Sequence, residues 1–174
     1  MKPAYTGTAK SLHWLILALL IVQFVLAWMM PHIGRNTPLT TLIDFHFSFG
    51  LLILFVVAIR LIWRLTHSEP EREAGVPPWQ HQTAQIVHWL LYLLLFVVPI
   101  LGWINANWRG YSVTLFGLFQ MPEVMATRAP GWSWTGDLHT LLAMYAMLPL
   151  IGLHVAAALY HHVIRRDRVL QRML

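Results

Sequence analysis

The chain contains no cysteine among its 174 residues. Disulfides, thiolate metal centres, iron–sulfur clusters and covalent haem attachment through a C-x-x-C-H motif are therefore all excluded. Charge is scarce as well: 11% of residues are Asp, Glu, Lys or Arg against 57% hydrophobic, and the mean hydropathy is +0.58. A soluble domain of ordinary composition is about a quarter charged, so this composition belongs in a membrane. The formal net charge of +5 does not point to nucleic acid, because the cations flank apolar runs instead of gathering on a polar, aromatic face.

What the chain does have is four long apolar runs, at about residues 10–31, 41–65, 82–105 and 136–164. Each is long enough to cross a hydrocarbon core of about 30 Å as a helix. The expected fold is an all-α, integral membrane four-helix bundle forming a single domain over residues 1–174. The first run is too long for the core of a cleavable signal and no small-residue cleavage site follows it, so it is expected to stay as a span. Placing the N-terminus inside puts Lys2, Lys10, Arg60, Arg64, Arg72, Arg165, Arg166, Arg168 and Arg172 on the cytoplasmic side and leaves Arg35, Arg109 and Arg128 outside. That bias predicts cytoplasmic N- and C-termini. The connector "THSEPEREAGVPPWQHQ" reads as an exposed link without chemistry. The segment "NANWRGYSVTLFGLFQMPEVMATRAPGWSWTGD", aromatic and poor in charge, is expected to lie on the membrane surface as a lid over the bundle's outer mouth. Most tryptophans fall near helix ends, as amphipathic rings at headgroup level do, and Pro99 and Pro149 predict bends.

Ten histidines are many for so apolar a chain, and an ionisable group inside a span is costly unless it works or is paired. His32, His67 and His81 fall outside the runs and need only water. His13 and His154 lie at one depth, towards the inner ends of the first and fourth helices. His46 and His139 lie at the other depth, on the second and fourth. Along the fourth helix His139 and His154 are fifteen residues apart, about 22 Å of rise and about 60° from eclipsed. Two histidine pairs, each drawn from two helices at one depth, are what clamping two haems axially inside a bundle requires. Gly50, Gly152, Ala156, Ala157 and Ala158 supply small neighbours, for a porphyrin edge or for close helix packing. A competing reading is a metal such as zinc held by His13, His88, His154 and His161, which leaves the outer pair unexplained.

The segments "SLHW", "FHFSFGLLILFVVAIRLIWR", "HWLLYLLLFVVPILGW" and "LHTLLAMYAMLPLIGLHVAAALYHHVIRRDRVLQRML" together resemble the small bacterial cytochrome b561 family, over essentially the whole chain. The resemblance implies a multi-pass protein of the bacterial inner (cytoplasmic) membrane with two non-covalent haem b groups. It implies His13 with His154 as axial ligands of the cytoplasmic-side haem and His46 with His139 for the periplasmic-side haem. It also implies a ligand spacing of fourteen on the fourth helix, where this chain has fifteen with Pro149 between. A proline kink or local bulge is expected to absorb the difference.

His88, His161 and His162 gather near the inner haem position, and His88 and His161 are candidates to hydrogen-bond a quinone and relay its protons. Arg60, fourteen residues beyond His46, is a candidate partner for haem propionates. The function expected is an oxidoreductase that takes electrons from a periplasmic one-electron donor and passes them to ubiquinone. In the family that the chain resembles, superoxide is one such donor. Membrane lipid, quinone and a small donor are the expected partners, without nucleic acid or an obligate protein. The alternative is an electron-transfer subunit anchoring a dehydrogenase, hydrogenase or periplasmic cytochrome.

Overall fold

A computed structural model describes residues 4–34, 37–71, 73 and 75–174. Lys2, Arg35 and Arg72, which entered the topology count, lie outside the described residues. Among the described residues four spans are long and apolar enough to cross a membrane: α1 (Gly7–Met29), α2 (Thr41–Thr66), α3 (Pro78–Arg109) and a fourth running Trp134–Arg165. α1 and α2 start at threonines, Thr6 and Thr40, whose hydroxyls accept from the amides of Ala9 and Ile43; the capping oxygen satisfies a helix amide that has no partner within the helix. α3 starts four residues earlier than the apolar pattern indicated, because Pro78 sits at the first helical position, where its missing N–H costs nothing. It ends at Gly110, whose φ of 88° suits glycine.

The fourth span is not one uniform helix. It is built of α4 (Trp134–Leu141), a π-helical stretch over Leu142–Met147, α5 (Leu148–Tyr160) and a second π-helical turn over His161–Arg165. The first π stretch ends where Leu148 N–H bonds to the Ala143 carbonyl, five residues back. Pro149 follows immediately. Its missing N–H and its ring disfavour an α-helical bond to Tyr145, and widening the preceding turn relieves that conflict.

A core of Leu19, Leu20, Ile53, Val57, Leu95 and Val98 runs between the first three helices, while α5 buries none of its residues. Both termini lie at one end of the bundle, where Tyr5 N–H bonds to Arg172 O and Trp14 Nε1 donates to Met173 O at 2.9 Å. We call this the terminal end, and the opposite one the loop end.

At the loop end the long connection is not featureless, and the structure adds a short antiparallel hairpin to the helices. β1 (Thr114–Leu115) pairs with β2 (Phe119–Gln120), in the register Thr114 to Gln120 and Leu115 to Phe119. Phe116 and Gly117 at its turn have φ of 52° and 71°, as tight hairpin turns require. For phenylalanine that conformation costs roughly 1–2 kcal/mol, offset by packing of its ring on Phe49 at 5.2 Å.

The connector between α2 and α3 also differs from the expected loose link. Arg64 bridges Glu69 at 2.7 Å, and Arg165 Nη2 donates to Gly75 O at 2.7 Å. Arg172 donates to Glu71 O and pairs with Glu73. The connector therefore ties the C-terminal tail to the bundle.

Candidate functional site

The structure brings His13, His46, His139 and His154 together in two pairs, His46 buried and the other three half-buried. At the loop end the rings of His46 on α2 and His139 on α4 have centroids 6.1 Å apart at an interplanar angle of 82°. At the terminal end His13 on α1 and His154 on α5 are likewise 6.1 Å apart, at 75°. Two imidazoles facing each other across one metal, with bonds of about 2.0 Å, have centroids roughly 6.3 Å apart. Both pairs have that spacing.

Each ring at the loop end is held by a neighbour. His139 Nδ1 lies 2.8 Å from Val98 O; a carbonyl only accepts, so Nδ1 carries the proton and Nε2 keeps a free lone pair. The ring fits against α3 because Gly102 has no side chain: a Cβ there would stand 3.0 Å from His139 Cε1 and 3.1 Å from Nδ1. His46 is buried, and Gln23 Nε2 donates to its backbone oxygen at 3.1 Å and lies 3.3 Å from its Nε2. His46 Nδ1 and Gln23 Oε1 are buried without a hydrogen-bond partner. Both residues line a pocket together with His139, Gly50, Gly102, Trp103 and Val113, among others.

The π stretch resolves the spacing on the fourth span. One wide turn between His139 and His154 takes up a residue without advancing the helix by a full step. Fifteen residues then behave as about fourteen, which changes the offset between the rings from about 60° to about 40° on the other side of eclipsed.

At the terminal end a third ring joins the pair: His88 on α3 has its centroid 5.3 Å from that of His154. His88 thus packs edge-on against His154. Among the described residues no group of three His, Cys, Asp or Glu side chains is placed to hold a metal ion, which removes the support for a compact zinc site. Arg60 donates from Nε to the Tyr92 hydroxyl at 3.1 Å and from Nη1 to Ala9 O at 2.9 Å, within electrostatic range of His13 and His154. His161 lies apart from this group: its Nδ1 is 2.6 Å from Asp167 Oδ2, with Tyr160 beside the ring. Among the described residues no hydrogen bond or ring contact joins His88 to His161, and His162 is exposed.

Arg109 and Arg128 converge on Trp108 at the loop end, their guanidinium carbons 5.9 Å and 4.9 Å from its ring. Gly152 is exposed, with nothing within 4 Å of where a Cβ would be, so it does not serve close helix packing.

Residues 4–174 match the family described as prokaryotic cytochrome b561. The chain belongs to this family. Cytochromes b561 bind haem b and transfer electrons, and with its four spans this cytochrome b561 is a multi-pass protein of the bacterial inner membrane. It is 30% identical to cytochrome b561 homolog 2 of Escherichia coli (strain K12), over 98% of this chain and 90% of that one. It is 31% identical to the probable superoxide oxidase CybB of Yersinia pestis, over 100% and 97%. It is 28% identical to cytochrome b562 of Cereibacter sphaeroides, over 99% and 96%.

Three features of the site were not read from the sequence. Gln23 is an amide in the middle of an apolar run, and its depth alone was a signal. Gly102 lies three residues after Pro99, which suggested a bend and not a contact. Asp167 gave no signal beyond following two arginines.

Proposed function

We propose that this cytochrome b561 carries electrons across the inner membrane between two haem b sites, from superoxide at the loop end to ubiquinone at the terminal end. In this reading the loop end is periplasmic and both termini are cytoplasmic, as the distribution of basic residues supports. The observation that carries the proposal is the pair of matched histidine couples, His46 with His139 and His13 with His154, each at 6.1 Å and at opposite ends of the bundle. The unpartnered His46 Nδ1, the side-chain-free wall at Gly102 and an all-imidazole donor set fit haem b ligation. When bound, haem b supplies one reversibly exchanged electron per iron.

The protein's own groups do the rest. Val98 O fixes the His139 tautomer and leaves its Nε2 lone pair free to hold a metal, while Gln23 holds His46 through its backbone oxygen and ring. Arg60, held by Tyr92 and Ala9, brings positive charge to the His13–His154 site, where it would pair with propionates. Asp167 engages His161 Nδ1, and in the protonated ring the Nε2–H would donate to a quinone carbonyl; His88, packed on His154, is the second candidate. Two superoxide anions each give up one electron and leave as oxygen. One ubiquinone takes both electrons and two protons and becomes ubiquinol, with His161 positioned to pass protons from the terminal end. The name of the Yersinia pestis relative supports superoxide as the donor.

The test is the reduced-minus-oxidised spectrum and the haem content per chain of the purified protein, with His46→Ala and His154→Ala, followed by superoxide-driven reduction of ubiquinone. Two haems, each lost with a different substitution, and quinol formation at the expense of superoxide are the expected results. A soluble protein copurifying in fixed proportion would instead favour the electron-transfer-subunit reading.

A further inference from the structure

We propose that the hairpin Tyr111–Met121 is a re-entrant element, with Phe116, Leu118 and Phe119 inserted among the lipid chains of the loop-end leaflet.

The first observation is depth. Ser48 Oγ donates to Thr114 O at 2.9 Å and accepts from Phe116 N–H at 3.0 Å, and Phe116 packs on Phe49. Ser48 lies seven residues past Thr41, the first residue of the 26-residue α2, about 10 Å along the helix axis. Such a helix is roughly 39 Å long against a hydrocarbon core of about 30 Å, so its anchoring residue for the hairpin lies roughly 6 Å below the edge of that core.

The second is chemistry. The stretch "YSVTLFGLFQM" has no Asp, Glu, Lys or Arg, the nearest charges being Arg109 and Glu123. Its apolar tip points outward, with Leu118 89% and Phe119 54% exposed. On α2, from which the hairpin hangs, Phe45 is also exposed.

The third is the backbone. Non-helical chain enters hydrocarbon only if its amides and carbonyls are satisfied internally. Here Phe116 N–H bonds to Ser48 Oγ, Gly117 N–H to Thr114 Oγ1, Leu118 N–H to Leu115 O and Met121 N–H to Val113 O. Four amides in and around the turn are thus satisfied without water. On its inner side Val113 lines the His46–His139 pocket, so lipid on one face and the haem site on the other hold the hairpin in place.

Because the chain has no cysteine, single-cysteine variants need no background changes. Leu118→Cys, Phe119→Cys and the control Glu123→Cys would be spin-labelled in the full-length protein, placed in phosphatidylcholine–phosphatidylglycerol nanodiscs, and their collision rates with oxygen and with a water-soluble nickel chelate measured. Labels at 118 and 119 are expected to show an oxygen-to-nickel ratio several-fold above that at 123. A ratio equal to that at 123 would place the tip in water and overturn the proposal. Low collision rates with both reagents would overturn it too, by showing a protein partner on this surface. Two positions guard against a local effect of one label.

Discussion

Replacing Gly102 with alanine tests whether α3 seats the His139 ligand. The added Cβ would stand 3.0 Å from His139 Cε1 and 3.1 Å from Nδ1, whereas carbon atoms settle at about 3.5–4.0 Å. The ring must retreat by about half an ångström, taking Nδ1 away from the Val98 oxygen now 2.8 Å off and to the limit of a hydrogen bond. Overpacking of this kind costs roughly 1–3 kcal/mol, while exchanging glycine for alanine in a helix returns up to about 1 kcal/mol. The fold should therefore survive. The effect concentrates on the ligand, because losing the group that orients a metal-binding histidine typically weakens binding by about 10–100-fold. Haem content per chain and haemin titration of the apoprotein are the assays. Gly152→Ala, whose Cβ meets nothing within 4 Å, should bind haem as the parent does. If Gly102→Ala retains full haem at wild-type affinity and potential, Gly102 and Val98 do not position His139.

Arg60→Met keeps the length of the side chain but removes its charge, which favours the reduced state of the His13–His154 site; a potentiometric titration should show that haem's midpoint lowered, on the order of 50 mV, with the loop-end haem unchanged. Burial pushes the Asp167 carboxyl up, but hydrogen bonds from His161, the Val169 amide and Arg165 outweigh it and hold the group below its ordinary value. A depressed folded-state pKa contributes stability above the unfolded value of 3.8 and loses it as pH falls through the folded one. Thermal unfolding of Asp167→Asn should therefore occur at lower temperature than wild type at neutral pH, with the two midpoints converging below about pH 3; parallel curves down to that pH would refute the ion pair's role. Deleting Ala146 from the π stretch should restore an uninterrupted α-helical path and still leave both haems bound, since fourteen residues span the same two sites; loss of the loop-end haem would show that the wide turn itself shapes the site.

Much of the architecture was legible because a membrane span is a statement about length and hydropathy, and both can be counted. The depth of each histidine followed from the same counting, which is why the sequence alone pairs His13 with His154 and His46 with His139. Facing was harder. In spans that are apolar all round, no polar stripe marks the buried side, so Gly152 looked as suited to close packing as Gly50. Contacts between distant segments were out of reach for a different reason. That Arg172 meets Glu73 depends on the path of the tail, and that Ser48 holds the hairpin depends on a turn in which a phenylalanine has positive φ, against its local preference.

The fourth span shows how phase and spacing can conflict without either being wrong. Read as a plain α-helix, its fifteen-residue interval sets His139 and His154 about 60° apart, and Pro149 adds a missing amide in the same interval. Each looks like a defect. A turn of five-residue bonds ending at Leu148 answers both, since it absorbs the extra residue and lies immediately before the proline that could not have completed an α-helical turn. The proline and the additional residue are therefore one feature of the sequence, and the matched 6.1 Å spacing of the two histidine pairs is the geometric result it preserves.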